Sequence, residues 1–201
     1  MPLALNTDNI SVIMPNNNKI ILGFVGLPAS GKGTSAEYFQ KKYKASTYRF
    51  STMLFDLLKR IYLETNRDNL IKMSEAIRGT FGEDTMAKVM AKDAESDENN
   101  IIIVDGIRRM ADIEYLSKLP NFVLIEIFAD LRTRYERMIQ RCEKPDDKTK
   151  TFEQFVEDHK RSTEMSIPEV AAHATEHLDN NGSLEDLRQK LDNLISKYHA
   201  G

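Results

Sequence analysis

A glycine-rich segment near the N-terminus places the strongest constraint on how this chain can fold. Residues Gly26 to Thr34 read GLPASGKGT, which satisfies the spacing G-x-x-x-x-G-K. The apolar, β-branched run Lys19–Val25 comes directly before this segment, and helical spacing of apolar residues follows it. A strand, a glycine loop and a helix in this order predict a phosphate-binding loop, or P-loop. A glycine-rich turn that merely joins a strand to a helix is the alternative.

Each part of the predicted loop has an expected task. Gly26, Gly31 and Gly33 permit backbone angles and a close approach to phosphate that a β-carbon would prevent. Lys32 supplies a full positive charge to the outer phosphates of ATP. Gly33 stands where a Ser or Thr usually follows the lysine, and Thr34 comes one place later. The standard magnesium hydroxyl is therefore missing from its usual position.

Strand and helix patterns alternate along the rest of the chain. Further strands are predicted over Ser46–Phe50, Asn100–Val104, Phe122–Phe128 and Ala174–Leu178. Helices are predicted over Met53–Thr65, Leu70–Met90, Leu131–Arg141 and Ser183–Tyr198. This alternation predicts an α/β fold with three layers, in which helices cover both faces of a mostly parallel sheet.

Composition narrows the classes of function. A chain of 201 residues suits one main domain, and its 28 basic and 31 acidic residues give a net charge of -3. That slightly acidic balance argues against a protein whose main function is to bind a nucleic-acid backbone. Cys142 is the only cysteine, which excludes an intrachain disulfide and fits the cytoplasm. No apolar run approaches the roughly 20 residues of a membrane helix. Residues 1–18 do not resemble a signal peptide, and we expect a flexible lead-in there.

Asp105 is a candidate magnesium residue. It follows the apolar run Asn100–Val104, so a parallel sheet would bring it to the same carboxyl edge as the P-loop. Mg²⁺ keeps several waters and binds few carboxylates, so we expect Asp105 to contact the ion through water. An ordinary Asp-Gly turn after a strand is the alternative.

Arginines form a second group of candidates. Arg134, Arg137 and Arg141 share one helix face by their spacing, and Arg108 and Arg109 follow shortly after Asp105 and Gly106. Guanidinium groups suit bidentate contact with phosphate, whereas a solvated helix face is the alternative. His173 and His177 lie four residues apart without the glutamate of a metalloprotease motif, so we expect surface or packing roles for them.

Together these residues resemble the nucleoside monophosphate kinase group of P-loop proteins, particularly its adenylate kinase-like and dephospho-CoA kinase-like members. The loop GLPASGKGT has the Gly-Thr ending of those kinases, and Asp105-Gly106-Ile107-Arg108 is similar to their Asp-Gly-x-x-Arg element, one residue shorter. The sequence looks most similar to an archaeal-type branch of these kinases in three places, which are the element that begins at Asp105, the region around Arg137 and the loop Asn180–Ser183. The resemblance spans residues 19 to 195 and implies a P-loop NTPase fold with a small helical lid.

The resemblance also implies a role for individual residues. The residues implied to hold ATP are Gly26, Pro28, Ala29, Ser30, Gly31, Lys32, Gly33, Thr34 and Asn181. Those implied for the acceptor are Arg49, Ser51, Arg78 and Arg108. The implied catalytic residues are Lys32, Arg108, Arg137 and Arg141, with Arg161 as a second lid arginine and Asp105 as the metal residue. The kinase domain would span 19–201, with acceptor-binding helices over 50–92 and the lid over 130–165.

The function expected from this pattern is transfer of the ATP γ-phosphoryl group, with Mg²⁺, to a nucleoside or deoxynucleoside monophosphate. Dephospho-CoA is the alternative acceptor, and an ATP-binding regulatory module without phosphotransfer is the alternative of another class. A nucleic-acid end kinase agrees less well with the acidic balance. The expected partner is a small nucleotide acceptor, with neither nucleic acid nor membrane, and the protein would be a monomer or homodimer. The sequence does not determine which base and sugar the acceptor carries. It also does not determine whether the donor is ATP or GTP.

Overall fold

The central strand of the sheet is buried along its whole length, which explains why its sequence is apolar throughout. The computed structural model describes residues 19–141, 150–158 and 165–198. Strand β1 spans Ile20–Val25, and all 6 of its residues are buried. The other strands are β2 (Ser46–Arg49), β3 (Ile101–Ile107), β4 (Phe122–Phe128) and β5 (Glu176–Asp179). All neighbouring strands pair in parallel, in the order β2-β3-β1-β4-β5.

Helices connect these parallel strands. Their bounds are α1 Lys32–Tyr43, α2 Phe50–Arg60, α3 Arg67–Phe81, α4 Thr85–Ser96, α5 Met110–Ile113, α6 Leu131–Arg141, α7 Phe152–Asp158, α8 Ile167–Ala171 and α9 Leu184–Tyr198. A short 3-10 helix spans Leu116–Lys118 before β4.

The side chains of β1 point alternately to the two faces of the sheet, and the apolar core is divided between these faces. Ile21 belongs to a cluster that includes Met90 of α4 on one face. Leu22 belongs to a second cluster that includes Phe39 of α1 and Leu191 of α9 on the other face. Successive side chains of a strand point to opposite faces, so one strand serves both clusters. The predicted three-layer α/β fold with covered sheet faces is confirmed.

The single helix predicted over Leu70–Met90 is wrong, because the chain breaks at Gly82. The backbone of Gly82 has a φ of 110°, which glycine adopts readily, and its N–H donates to the Arg78 carbonyl at 3.0 Å. This contact ends α3, and α4 begins at Thr85. The side chain of Asn66 caps the start of α3 by accepting from the Asn69 N–H at 3.0 Å.

Strand β4 and helix α6 form with the predicted bounds, and the other predicted elements form with shifted ends. Helix α2 begins at Phe50, directly after β2, and β3 continues past Asp105 to Ile107. Across the ranges described above, none of the helices combines the length and apolarity needed to cross a membrane. The predicted lead-in over residues 1–18 lies outside the described residues, as do residues 142–149 and 159–164 of the predicted lid. The division into acceptor-binding helices and lid stays a prediction.

Candidate functional site

The predicted P-loop connects β1 to α1 and depends on glycine at two positions. Gly26 and Gly31 have φ angles of 151° and 111°. A β-carbon at Gly26 would lie 2.2 Å from the Ile127 carbonyl oxygen, and one at Gly31 would lie 2.2 Å from Nδ2 of Asn180. Side chains cannot enter at such distances, so the loop can pass this close to its neighbours only as glycine. Pro28 and Ala29 form the half-buried tip between them.

Lys32 is the first residue of α1, and its ammonium group lies across the loop. Its Nζ donates to the carbonyl oxygens of Gly26 at 2.6 Å and Leu27 at 3.1 Å. Gly33 follows in the first turn without a side chain, and Thr34 is exposed. A flexible lysine at a helix N-terminus places positive charge beside N–H groups that already favour anions.

A buried hydroxyl inside the loop supports a phosphate ligand. Ser30 is fully buried, and its Oγ has no hydrogen-bond partner among the described residues. Buried polar atoms are normally hydrogen-bonded, so an unpartnered hydroxyl within a glycine loop suits a ligand oxygen. The loop residues therefore fit the phosphates of a nucleotide.

Asp105 lies at the predicted sheet edge, beside the P-loop, and is paired with Arg49. Its side chain is buried, and its Oδ2 lies 3.0 Å from Nε and 2.8 Å from Nη2 of Arg49. The other oxygen, Oδ1, accepts from the Gly106 N–H at 2.7 Å. Parallel pairing sets Asp105 opposite Arg49 on β2 and Phe24 on β1. A carboxylate at this edge is the kind of oxygen donor that Mg²⁺ takes, so the residue fits its predicted metal role.

On the predicted acceptor side, a carboxylate that the sequence analysis missed organises the arginines. Asp112 on α5 is buried, and its Oδ2 accepts from the backbone N–H groups of Arg108 and Arg109, each at 3.0 Å. Its Oδ1 lies 3.3 Å from Nη2 of Arg78. An aspartate three residues into a helix start was the available signal. Asp112 thereby joins Arg78 to the segment that carries Arg108.

Ser51 and Arg78 lie on two of the predicted acceptor-binding helices, at the start of α2 and near the end of α3. Arg78 is buried on α3, and its Nη1 donates to the Glu83 carbonyl at 2.5 Å. The Nε atom of Arg78 has no partner among the described residues. Ser51 is half-buried in the first turn of α2, directly after Arg49 and Phe50.

The arginines of α6 do not form one solvated stripe. Arg134 is 4% exposed, and it donates to the Ala129 carbonyl at 3.0 Å and to the Pro28 carbonyl of the P-loop at 3.3 Å. Arg137 is half-buried, and its Nη2 donates to the Gly182 carbonyl at 3.3 Å. Arg141 is exposed at the end of the helix. Arg134 thus supports the loop, a role that helical spacing alone did not predict.

The guanidinium of Arg137 is partly desolvated. Burial lowers the pKa of the Arg137 guanidinium below its ordinary value. Its Nη1 is buried without a hydrogen-bond partner in the described part of the chain. An anionic ligand at this position would supply the missing acceptor. Arg161, the predicted second lid arginine, lies outside the described residues.

The loop after β5 contacts the P-loop through Asn180. Asn180 is buried, and its Nδ2 donates to the Ser30 carbonyl at 2.8 Å. Asn181, the residue predicted to bind the nucleotide, instead accepts from the Asp130 N–H at 2.8 Å and donates to Asp179 at 2.7 Å. In this loop the contact with the P-loop comes from Asn180, the residue before Asn181.

A small cavity of about 80 Å³ lies beside the loop. Its lining includes Gly26, Leu27, Glu126, Arg134 and Pro168.

His177 lies outside this lining, and its Nδ1 lies 2.7 Å from Oε2 of Glu126. His173 is exposed. Within 19–141, 150–158 and 165–198, no group of three or more His, Cys, Asp or Glu side chains could hold a metal.

Comparison with known sequences places this geometry in context. The sequence model of a family described as "AAA domain" matches residues 25–155, which include the P-loop and Asp105. A UPF0200 protein of Sulfurisphaera tokodaii is 29% identical over 178 residues, covering 88% of this chain and 96% of the relative. The UPF0200 protein MJ1399 of Methanocaldococcus jannaschii is 29% identical over 180 residues, covering 89% and 90%.

Comparison with solved structures supports the fold. The shikimate kinase of Bacteroides thetaiotaomicron has a TM-score of 0.60 at 13% identity, covering 89% of this chain and 97% of that one. TT1252 of Thermus thermophilus has a TM-score of 0.57 at 18% identity, with the same coverage of 89% and 97%. These likenesses establish a P-loop kinase-like fold, as the resemblance implied.

Proposed function

Because this chain belongs to the AAA domain family, whose sequence model covers its P-loop, we propose that it is an ATP-dependent phosphotransferase. Its acceptor in this proposal is a small molecule, a nucleoside or deoxynucleoside monophosphate. The observation that carries the proposal is the arrangement at one sheet edge. There the P-loop, the buried carboxylate of Asp105 and the Arg49 guanidinium lie near the carboxyl ends of three adjacent strands. Ligands of open parallel sheets bind outside the carboxyl ends of the strands.

The donor side would hold ATP through the loop. Backbone N–H groups at the start of α1 would face the phosphates, and the unpartnered Ser30 hydroxyl would donate to a phosphate oxygen. Lys32 would leave the carbonyls of Gly26 and Leu27 to contact the outer phosphates. Mg²⁺, held through water by Asp105, would neutralise negative charge on the phosphate oxygens.

The acceptor side would hold a phosphate monoester. Asp112 holds Arg78 and the backbone of Arg108 in one region, and Nε of Arg78 is buried without a partner in the described chain. Planar guanidinium groups suit bidentate binding of a terminal phosphate. These arginines favour a monophosphate over dephospho-CoA, whose reacting group is a ribose hydroxyl.

The reaction follows from this placement. An acceptor phosphate oxygen would attack the γ-phosphorus of ATP in line, while the bond from that phosphorus to the β–γ bridging oxygen breaks and ADP leaves. Lys32 and the arginines would stabilise charge that spreads over the transferring oxygens. The lid predicted over residues 130–165 would exclude water, which otherwise competes as an acceptor.

The test is ADP release from ATP and Mg²⁺ with a panel of ribo- and deoxynucleoside monophosphates and dephospho-CoA. We expect at least one monophosphate to stimulate ADP release. Replacing Lys32 by Ala should lower the stimulated rate on the order of 10²–10³-fold, because one donor to the transition state is lost. The matched control is Lys41→Ala, which removes an exposed lysine of the same helix beside Glu37.

Other results of this ADP-release assay would change the proposed acceptor or the proposed function. Stimulation by dephospho-CoA alone would move the acceptor to the coenzyme precursor. Tight ATP binding without stimulation by any acceptor would favour a nucleotide-binding regulatory module. Full turnover by the Lys32→Ala protein would contradict the mechanism.

A further inference from the structure

We infer that the Arg49–Asp105 ion pair is a switch that couples binding of the acceptor phosphate to binding of Mg²⁺. In the closed pair, Arg49 neutralises the carboxylate that would otherwise serve the metal. An acceptor phosphate draws Arg49 away, and Asp105 becomes available to the hydrated ion. This inference rests on the proposed function and adds a regulation of the same site.

The geometry of the pair shows what Arg49 blocks. Both contacts of the guanidinium, at 3.0 and 2.8 Å, go to one carboxylate oxygen, Oδ2. The other oxygen accepts from the Gly106 N–H. Both oxygens of Asp105 are therefore engaged, and the side chain is only 9% exposed. A metal-bound water can therefore bind Oδ2 only after Arg49 moves.

Gly33 makes room for this arrangement. Nη2 of Arg49 lies 3.7 Å from the position that a β-carbon of residue 33 would take. The guanidinium thus lies beside the place where most P-loops carry a magnesium-binding Ser or Thr. Since this chain has no hydroxyl at that place, its metal site depends more heavily on Asp105. Occupation of Asp105 by Arg49 therefore leaves the magnesium site incomplete.

Arg49 is also the partner that can leave. Its side chain is 52% exposed, whereas that of Asp105 is 9% exposed. A phosphate dianion carries more charge than one carboxylate and offers several oxygens to the planar fork of an arginine. The buried carboxylate cannot be left without a counter-charge at low cost, so Mg²⁺ must replace the guanidinium. Each ligand then favours the other, because coupling between two sites is reciprocal.

The experiment measures binding rather than turnover. The dissociation constant of β,γ-imido-ATP, a non-hydrolysable analogue, is determined by calorimetry with and without Mg²⁺. The dissociation constant without Mg²⁺ divided by the dissociation constant with Mg²⁺ is called the magnesium gain, so a larger gain means that Mg²⁺ strengthens binding more. We expect Arg49→Met to raise this gain about tenfold over the wild type, within the usual range of coupling between sites. The double variant Arg49→Met/Asp105→Asn should lose that increase, because the carboxylate is gone.

A second arm adds the monophosphate that stimulates most ADP release. It should raise the magnesium gain of the wild type toward that of Arg49→Met and leave the variant unchanged. The matched control is Arg188→Met, which removes an arginine paired with the exposed Glu185 on α9 and should behave as wild type. Melting curves check folding, and if Arg49→Met does not fold, Arg49→Gln is measured in the same way.

The outcomes separate this inference from the proposed function. An unchanged magnesium gain in Arg49→Met, with the analogue still bound, would overturn the switch while leaving the phosphotransferase intact. A raised gain that persists in the double variant would also overturn it, since the effect would not pass through Asp105. Failure of every variant to bind the analogue would overturn the proposed function and the switch with it.

Discussion

At the scale of single residues, the site depends on a glycine with an unusual backbone angle and on buried polar atoms without hydrogen-bond partners in the described residues. Gly31 adopts a left-handed backbone angle while the Asn180 amide lies against it. Ser30 and Arg78 each keep a buried polar atom without a partner in the described residues. Such atoms cost free energy in the folded protein unless a ligand satisfies them. Both features indicate a surface shaped for anions.

The conformation of Gly31 gives a direct prediction. Gly31→Ala should weaken binding of β,γ-imido-ATP at least about tenfold and lower the melting temperature, because its β-carbon would lie 2.2 Å from Asn180 Nδ2. Gly79→Ala is the matched control, since a β-carbon there meets nothing within 4 Å. Within helix α3 that change should stabilise the protein by about 0.5–1 kcal/mol. Calorimetry and thermal unfolding measure both effects. Wild-type nucleotide affinity in Gly31→Ala would contradict the described loop.

At the scale of elements, α1 connects the P-loop to the far side of the molecule. Its first residue, Lys32, belongs to the loop, and its last turns contact α9 through Asp192. That carboxylate accepts hydrogen bonds from Tyr38 at 2.8 Å, Lys42 at 2.7 Å and Tyr43 at 2.6 Å. These contacts hold the last turns of α1, the helix that begins where the P-loop ends.

The Asp192 contacts predict a pH-dependent contribution to stability. Burial alone would raise the pKa of Asp192, but hydrogen bonds from Lys42, Tyr43 and Tyr38 lower it below the ordinary 3.8. A lowered carboxyl pKa stabilises the fold above pH 3.8, and this stabilisation is lost as pH falls through the folded-state pKa.

Asp192→Asn should therefore lower the free energy of unfolding by about 1–2 kcal/mol at pH 7, with a difference that shrinks below pH 4. Urea unfolding at pH 7 and pH 3 measures this difference. Glu185→Gln is the control, because Glu185 lies exposed on the same helix. A difference of equal size at both pH values would mean that the carboxylate charge contributes nothing.

The sequence predicted elements better than it predicted their contacts. The P-loop was predictable because its glycines, lysine and flanking elements are adjacent in the chain. The break at Gly82 could also have been found, since glycine commonly ends a helix. The inward position of Arg134 could not, because helical spacing defines a face without showing what packs against it. The same holds for Asn180, whose contact with Ser30 joins residues 150 positions apart.

At the scale of the whole molecule, the sheet order explains how distant segments form one site. The order β2-β3-β1-β4-β5 sets the ends of β2, β3 and β1 side by side, so Arg49, Asp105 and the P-loop become neighbours. The loop after β5 reaches the other side through Asn180. The P-loop, Asp105 and Arg49 thus lie together at one edge, above two apolar clusters that pack on opposite faces of the sheet.

Phosphotransfer itself can be measured as the transfer of label from γ-³²P-ATP to a nucleoside monophosphate in a single turnover. We expect a labelled nucleoside diphosphate with the wild-type protein and with Lys41→Ala, and almost none with Lys32→Ala. Label found only in inorganic phosphate, at equal rates with and without acceptor, would contradict it, because the chain would then hydrolyse ATP without transferring its phosphoryl group.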